Sequence, residues 1–250
     1  MGSYFRAQWW LLLRSPRLLG PLVVTPLYSL VFFSVLREHH RAGLATTVAT
    51  TAFLMSMWSQ AVFVASDAVD YDRWEGTLEA GLVNPRRYAD ALAVRVLTTT
   101  AVSLPAFGEI LLIGRLGFGY PITVAHPVLT CLVLLLVLCG SAGIALTISG
   151  LLVVVRGART LQNAMTYPFY LLAGLVLPVA ALPTALQWPA RAFYLSWGAT
   201  SLRAAIGETG FDLTALGVLA LLAPLQAVAG YLILRRILNR AREGKVILHG

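Results

Sequence analysis

Apolar residues run along this chain in long blocks separated by short polar breaks. A helix rising 1.5 Å per residue needs about 20 apolar residues to cross a hydrocarbon layer about 30 Å thick. Six blocks match that length: residues 18–36, 44–66, 91–114, 127–155, 160–181 and 213–234. The expected fold class is an all-α membrane protein, one transmembrane domain over residues 1–250 with six transmembrane helices.

The intervals between the blocks carry their own patterns. In residues 3–15, followed closely by Arg17, the residues Arg6, Arg14 and Arg17 fall within an arc of roughly 80° at helical spacing. Trp9 and Trp10 suit the headgroup layer. This predicts an N-terminal amphipathic interface helix; the other reading is the inner end of the first span. Residues 182–212 are rich in aromatics and broken by Pro183 and Pro189 into pieces too short to span. They predict one or two short re-entrant helices in the outer leaflet, between spans 5 and 6. The run Gly140-Ser141-Ala142-Gly143 predicts a close contact with another helix, because small residues let backbones approach.

The longest polar interruption, residues 67–90, has an ordered pattern of its own. Trp74, Leu78 and Leu82 recur every four residues, the spacing of one helix face. Glu75 and Glu79 share that spacing on a neighbouring face. Asp72 followed by Glu75 has capping-box spacing, and Gly76 moves the alternative start to Thr77, a good N-cap. Pro85 sets the stop, since the residue before a proline avoids the α region. A short amphipathic helix is therefore expected within 72–85.

Composition agrees with the membrane reading. Apolar residues make up 58 % of the chain and charged residues 12 %, against roughly 25 % charged in a soluble domain. The net charge of +8 needs no nucleic acid, because basic residues collect on the cytoplasmic flanks of spans. Fourteen basic residues lie on the side that holds the N-terminus, the 67–95 segment, the 156–159 loop and the tail, against five on the other side. Both termini and residues 67–90 are thus expected in the cytoplasm. Within 67–90, six acids and three arginines sum to −3. An acidic segment is not drawn to anionic headgroups, so a basic or mixed groove on a cytoplasmic partner is the better match.

Little else points to chemistry. His39 and His40 are adjacent and do not converge on one helix face. Cys131 and Cys139 stand roughly 12 Å apart along a helix, too far for a disulfide. No cleavable signal peptide is expected, because Arg14, Pro16 and Arg17 break the N-terminal apolar run. Glu109 is the one acid inside an apolar block. It either faces a substrate path or pairs near the outer interface, with Arg203 as a partner. Gln162, Asn163 and Tyr167 open the fifth block and either line the same path from the inner side or form interhelical hydrogen bonds.

The stretch Trp74-Glu75-Gly76-Thr77-Leu78-Glu79, ending in Asn84-Pro85, resembles the cytoplasmic segment of type-2 ABC exporter permeases of the daunorubicin and multidrug-efflux kind. Their pattern is Glu-x-Gly-Thr-Leu-Glu, apolar residues, then Ser-Pro. Here Asn84 replaces Ser, and Gly81 stands where Leu is commoner. A weaker match lies in the outer region, where Pro183, Leu186, Gln187, Leu202 and Arg203 fit and Ser196-Trp197 replaces Asn-Pro.

The resemblance implies that residues 72–85 form a coupling helix, with Trp74, Glu75, Gly76, Thr77, Leu78, Glu79, Leu82 and Pro85 at a separate cytoplasmic ABC ATPase subunit. Trp74, Leu78 and Leu82 would be the apolar anchors. It implies two ATPases, a second permease subunit, identical or paralogous, and a bacterial plasma membrane. No cofactor is expected on this chain, with ATP and Mg held by the partner; a Gly-x-x-x-x-Gly-Lys-Ser/Thr pattern is absent. The cargo implied is an amphiphilic drug-like or lipid-like molecule, or alternatively a lipid-linked polysaccharide. An ion-coupled carrier is the rival of another class; it predicts internal repeats and midplane ionisable groups, and neither pattern is seen. An intramembrane enzyme would need convergent His, Asp or Ser motifs in the spans.

Overall fold

A computed structural model describes residues 20–40, 42–154, 158–175, 179–207 and 212–243. The expected interface helix, residues 3–15, lies outside the described residues, as do Arg156 and the last seven residues. Among the described residues all regular structure is helical. In chain order the helices are α1 (Gly20–Glu38), α2 (Ala45–Trp74), α3 (Leu78–Leu82), α4 (Pro85–Gly117), α5 (Pro127–Val154), α6 (Ala158–Leu172), α7 (Thr184–Ala192), α8 (Tyr194–Ile206) and α9 (Leu213–Arg242).

Four of them, α2, α4, α5 and α9, are long and apolar enough to cross a membrane. Three of these run past the limits read from the sequence. Helix α2 has 30 residues, about 45 Å of rise, and overshoots a bilayer core by roughly ten residues. Its extension, Ala68–Trp74, was expected to be loop up to Asp72. Helix α4 starts at Pro85, six residues before the expected span, because Asn84 caps it: its side chain accepts the Arg87 N–H at 3.3 Å. Helix α9 continues to Arg242, so Arg235, Arg236 and Arg240 extend a helix. The fifth block departs in the other direction. Helix α6 stops at Leu172, and Gly174 takes a left-handed φ of 67°. Residues 160–181 are therefore not one continuous helix; a turn with a left-handed glycine interrupts them.

Residues 182–207 contain two short helices, α7 and α8, and α8 is a core element. Tyr194 is fully buried, and its hydroxyl and that of Ser141 lie 2.8 Å apart. The small patch on α5 is used as expected. Gly140 lies under the Tyr194 ring, and Gly143 meets the α9 backbone at Gln226–Ala227.

Packing divides into two clusters. One, centred on Phe33, Phe53, Trp58, Phe107, Tyr194 and Leu219, fills the body of the bundle. The other gathers Val69, Leu78, Leu82, Ala89, Leu92, Leu146, Val153, Leu234 and Leu238 at the end where α2 meets α3. The second cluster makes residues 68–82 part of the folded bundle and positions the site described next.

Candidate partner-docking segment

The segment begins with an irregularity in α2. Residues Gln60–Ala65 form a π-helical turn, which frees backbone carbonyls from the regular α pattern. Buried side chains from other helices use them. Gln162 of α6 donates to the Val62 carbonyl at 3.0 Å and lies 2.9 Å from the Ser66 hydroxyl. Ser66 itself donates to the Val62 carbonyl. Gln60 donates to the Thr99 carbonyl of α4, and Ser149 of α5 donates to the Ser66 carbonyl, each at 3.2 Å. A polar seam thus ties α2 to α4, α5 and α6 just before the extension begins.

Beyond the seam, Ala68–Trp74 carries charges that pair within the chain. The Asp72 carboxylate accepts the Tyr88 hydroxyl and the Arg95 guanidinium, both at 2.7 Å. The Arg95 guanidinium also stands 5.5 Å over the Tyr71 ring. Arg73 pairs with Asp70 at 3.2 Å and donates through one guanidinium nitrogen to the Leu152 and Val153 carbonyls at 2.8 and 2.9 Å. These carbonyls belong to the last described turn of α5, and a cation near a helix C-terminus meets the negative end of the helix dipole.

The chain then turns a corner at Gly76, whose φ of 71° is accessible to glycine at little cost. The Thr77 amide and hydroxyl both donate to the Asp72 carbonyl, at 2.9 and 3.1 Å. Helix α3 follows and closes at Asn84-Pro85. Gly81 faces the Tyr88 ring, which a Cβ would approach to 2.5 Å. That close approach accounts for glycine where the resembled pattern has leucine.

This corner corrects the sequence reading of one helix over 72–85 with one apolar face. Gly76 ends the α2 extension and resets the phase, so Trp74 and the pair Leu78/Leu82 separate. Trp74 is 83 % exposed, whereas Leu78 and Leu82 are 5 % and 8 % exposed inside the inner cluster. Leu78 and Leu82 therefore pack within this chain and are not exposed anchors. Asp72 caps nothing, because its carboxylate is committed to Tyr88 and Arg95.

The charge picture changes as well. Asp70 and Asp72 are paired inside the fold, and Asp90 accepts the Tyr231 hydroxyl. Glu75 and Glu79 remain exposed, beside exposed Arg86 and Arg87. The outward surface is mixed in charge rather than acidic, and its most exposed large apolar residues are Trp74 and Val83, the latter 74 % exposed, with Tyr71 less so. Val83 was missed from sequence; the glycine inside the periodic run was the signal that the pattern would not continue in phase.

The residues read as a substrate path do not come together. Gln162 is buried in the seam, while Asn163 and Tyr167 lie on the exposed face of α6, Tyr167 at 76 %. Arg203 donates to the Gly174 carbonyl at 3.2 Å rather than pairing with Glu109, and one Glu109 carboxylate oxygen is buried without a hydrogen-bond partner among the described residues. Gln187 donates to the Leu182 carbonyl at 2.9 Å and holds the start of α7.

Because Leu78 is buried, Leu78→Asp is expected to unfold the inner cluster. Burying an unpaired carboxylate costs several kcal/mol. A fall in the melting temperature of the purified protein, before any partner is added, checks this. A melting temperature equal to wild type would put Leu78 back on the surface.

Among the described residues, four apolar helices are long enough to cross a membrane, and a hydrogen-bonded polar corner lies at one end of the bundle. The sequence matches the model of the ABC-2 type transporter family over residues 2–206. The chain belongs to that family, and it is a multi-pass membrane transport subunit rather than a catalyst. No curated protein matches the sequence.

Proposed function

We propose that this chain is the membrane-spanning permease subunit of an ATP-binding-cassette exporter, moving an amphiphilic drug-like or lipid-like molecule out of the cytoplasm with ATP hydrolysed by a separate subunit. The observation that carries the reading is the corner at Gly76. It turns Trp74, Glu75, Glu79 and Val83 outward on a segment bonded to α4 and α5. Leu78, Leu82 and Pro85 support that surface from inside, and Gly76 and Thr77 set its turn. The assembly proposed is two permease subunits with two ATPases that carry ATP and Mg, in a bacterial plasma membrane. Six spans would place both termini in the cytoplasm, with α1 and the residues around α6 supplying the two beyond the four long helices. The unpaired Glu109 oxygen favours a cationic amphiphile over a neutral one, since an intramembrane carboxylate is costly without a role.

Docking should rest on the apolar pair more than on the acids, because exposed ion pairs contribute only about 0–1 kcal/mol. Each of Glu75→Ala and Glu79→Ala alone is expected to retain the ATPase with at most about a five-fold loss of affinity, read by co-purification from native membranes at two salt concentrations. The wild-type chain should bring down a nucleotide-binding subunit; a transport-competent preparation without one would sink the proposal.

A further inference from the structure

A docking surface transmits work only if its displacement reaches the spans. The corner itself is short: α3 has five residues, and the Thr77 amide and hydroxyl return to the Asp72 carbonyl across Gly76. Besides the Asp72 contacts with Tyr88 and Arg95 of α4 and the packing of Leu78 and Leu82, a further tie to the bundle lies one residue before Trp74. Arg73 sits in the last turn of the α2 extension and donates to the Leu152 and Val153 carbonyls of α5 at 2.8 and 2.9 Å. Asp70, one turn back on the same helix, holds the other arm of the guanidinium at 3.2 Å.

The receiving helix is the one most tightly built into the fold. Helix α5 meets α9 backbone to backbone at Gly143 and Gly230 and meets α8 through Ser141 and Tyr194. Such contacts leave little room for sliding, because packed interiors shift between discrete arrangements rather than deform continuously. Helix α2 carries its π turn between the extension and the rest of the helix, and the Ser149 hydroxyl of α5 donates to the Ser66 carbonyl just past it at 3.2 Å. Movement of the extension has side-chain routes into α4 through Asp72 and into α5 through Arg73.

We propose that Arg73 is a positioning residue that locks the docking segment to the end of α5, so that the segment, α5, α8 and α9 move as one unit. This rests on the proposed ATPase-driven function and adds the route by which the motion enters the bundle. The Arg73 guanidinium touches no cargo in this scheme; it acts through the α5 carbonyls. A planar guanidinium suits the role because it stays charged and holds two acceptors in fixed directions.

The test uses the full-length protein with its co-purified ATPase in lipid nanodiscs. Amide hydrogen exchange is followed with and without ATP and vanadate. In wild type, nucleotide trapping should change exchange both in residues 68–83 and in residues 146–154. In Arg73→Met the change in 68–83 should persist and that in 146–154 should be lost, with ATPase recovery unaltered. Arg73→Lys keeps the charge without the fork and should give an intermediate change at 146–154. If both variants show the full wild-type change there, the lock is overturned. If R73M does not assemble, R73K decides alone, a full change refuting the proposal. If the wild-type chain recovers no ATPase, the underlying function falls instead, and that result is distinct from a normal recovery with an unchanged α5 signal.

Discussion

Trp74→Ala should release the ATPase subunit from this chain while leaving the chain folded. The indole is 83 % exposed, stands 6.4 Å from the Tyr71 ring at a tilt of 48°, and supports nothing in the inner cluster. Surface substitutions of that kind usually change stability by no more than about 0.5 kcal/mol. In a partner cleft the same ring becomes the largest apolar contact the segment can offer, and buried tryptophans dominate the energetics of interfaces, at about 2 kcal/mol or more each. A loss of about 2 kcal/mol weakens binding roughly 30-fold, enough to empty a pull-down at micromolar protein. The measurement pairs co-purification of the ATPase with the melting temperature of the purified permease. Release with an unchanged melting temperature supports the docking role. Full recovery of the ATPase would remove Trp74 from the interface, and with it the assignment of this corner as the contact element.

The second large effect belongs to the fold. Gly230→Val should prevent α5 and α9 from packing. A Cβ at position 230 would lie 2.1 Å from the Gly143 carbonyl oxygen, and one at 143 would lie 2.5 Å from the Gln226 carbonyl oxygen. The neighbours are backbone atoms, so no side chain can rotate aside and the helices themselves must separate. Overpacking a core that can adjust costs about 1–3 kcal/mol; a forced separation of two backbones should exceed that range. Gly217 lies on the same helix with nothing within 4 Å of its would-be Cβ, which makes Gly217→Val the control for helix propensity and insertion. The expected outcome is loss of the monodisperse detergent-solubilised protein for Gly230→Val and near-normal recovery for Gly217→Val. Equal behaviour of the two variants would contradict the close crossing.

These two positions also show how far the sequence could be read. The Gly140–Gly143 patch was legible as a contact surface, because small residues in a lipid-embedded helix have few other uses. Its partners were not, since Tyr194 and Gly230 lie 54 and 87 residues downstream of Gly140 and Gly143. The docking segment gives the converse case. Trp74, Leu78 and Leu82 keep helical spacing, and a period-based reading puts them on one face. One glycine with positive φ breaks the phase, so two of the three pack inward and Val83 joins Trp74 outside. The count of acids misled in a similar way, because the cations that pair with Asp72 and Asp70 come from the same segment and from α4.

Hydrophobic block length alone determined that this chain is a helical membrane protein, and a short local motif located the element proposed as the docking segment. Both are local properties: a bilayer demands a fixed length of apolar helix, and a proline or an N-cap acts within a few residues. Tertiary structure decided which side chains that element shows and which it hides. It decided that α6 stops short, and that the α2 extension is bonded to the end of α5. Those outcomes depend on groups far apart in sequence meeting under the requirement that buried polar atoms find partners, and no local pattern encodes where such partners will lie.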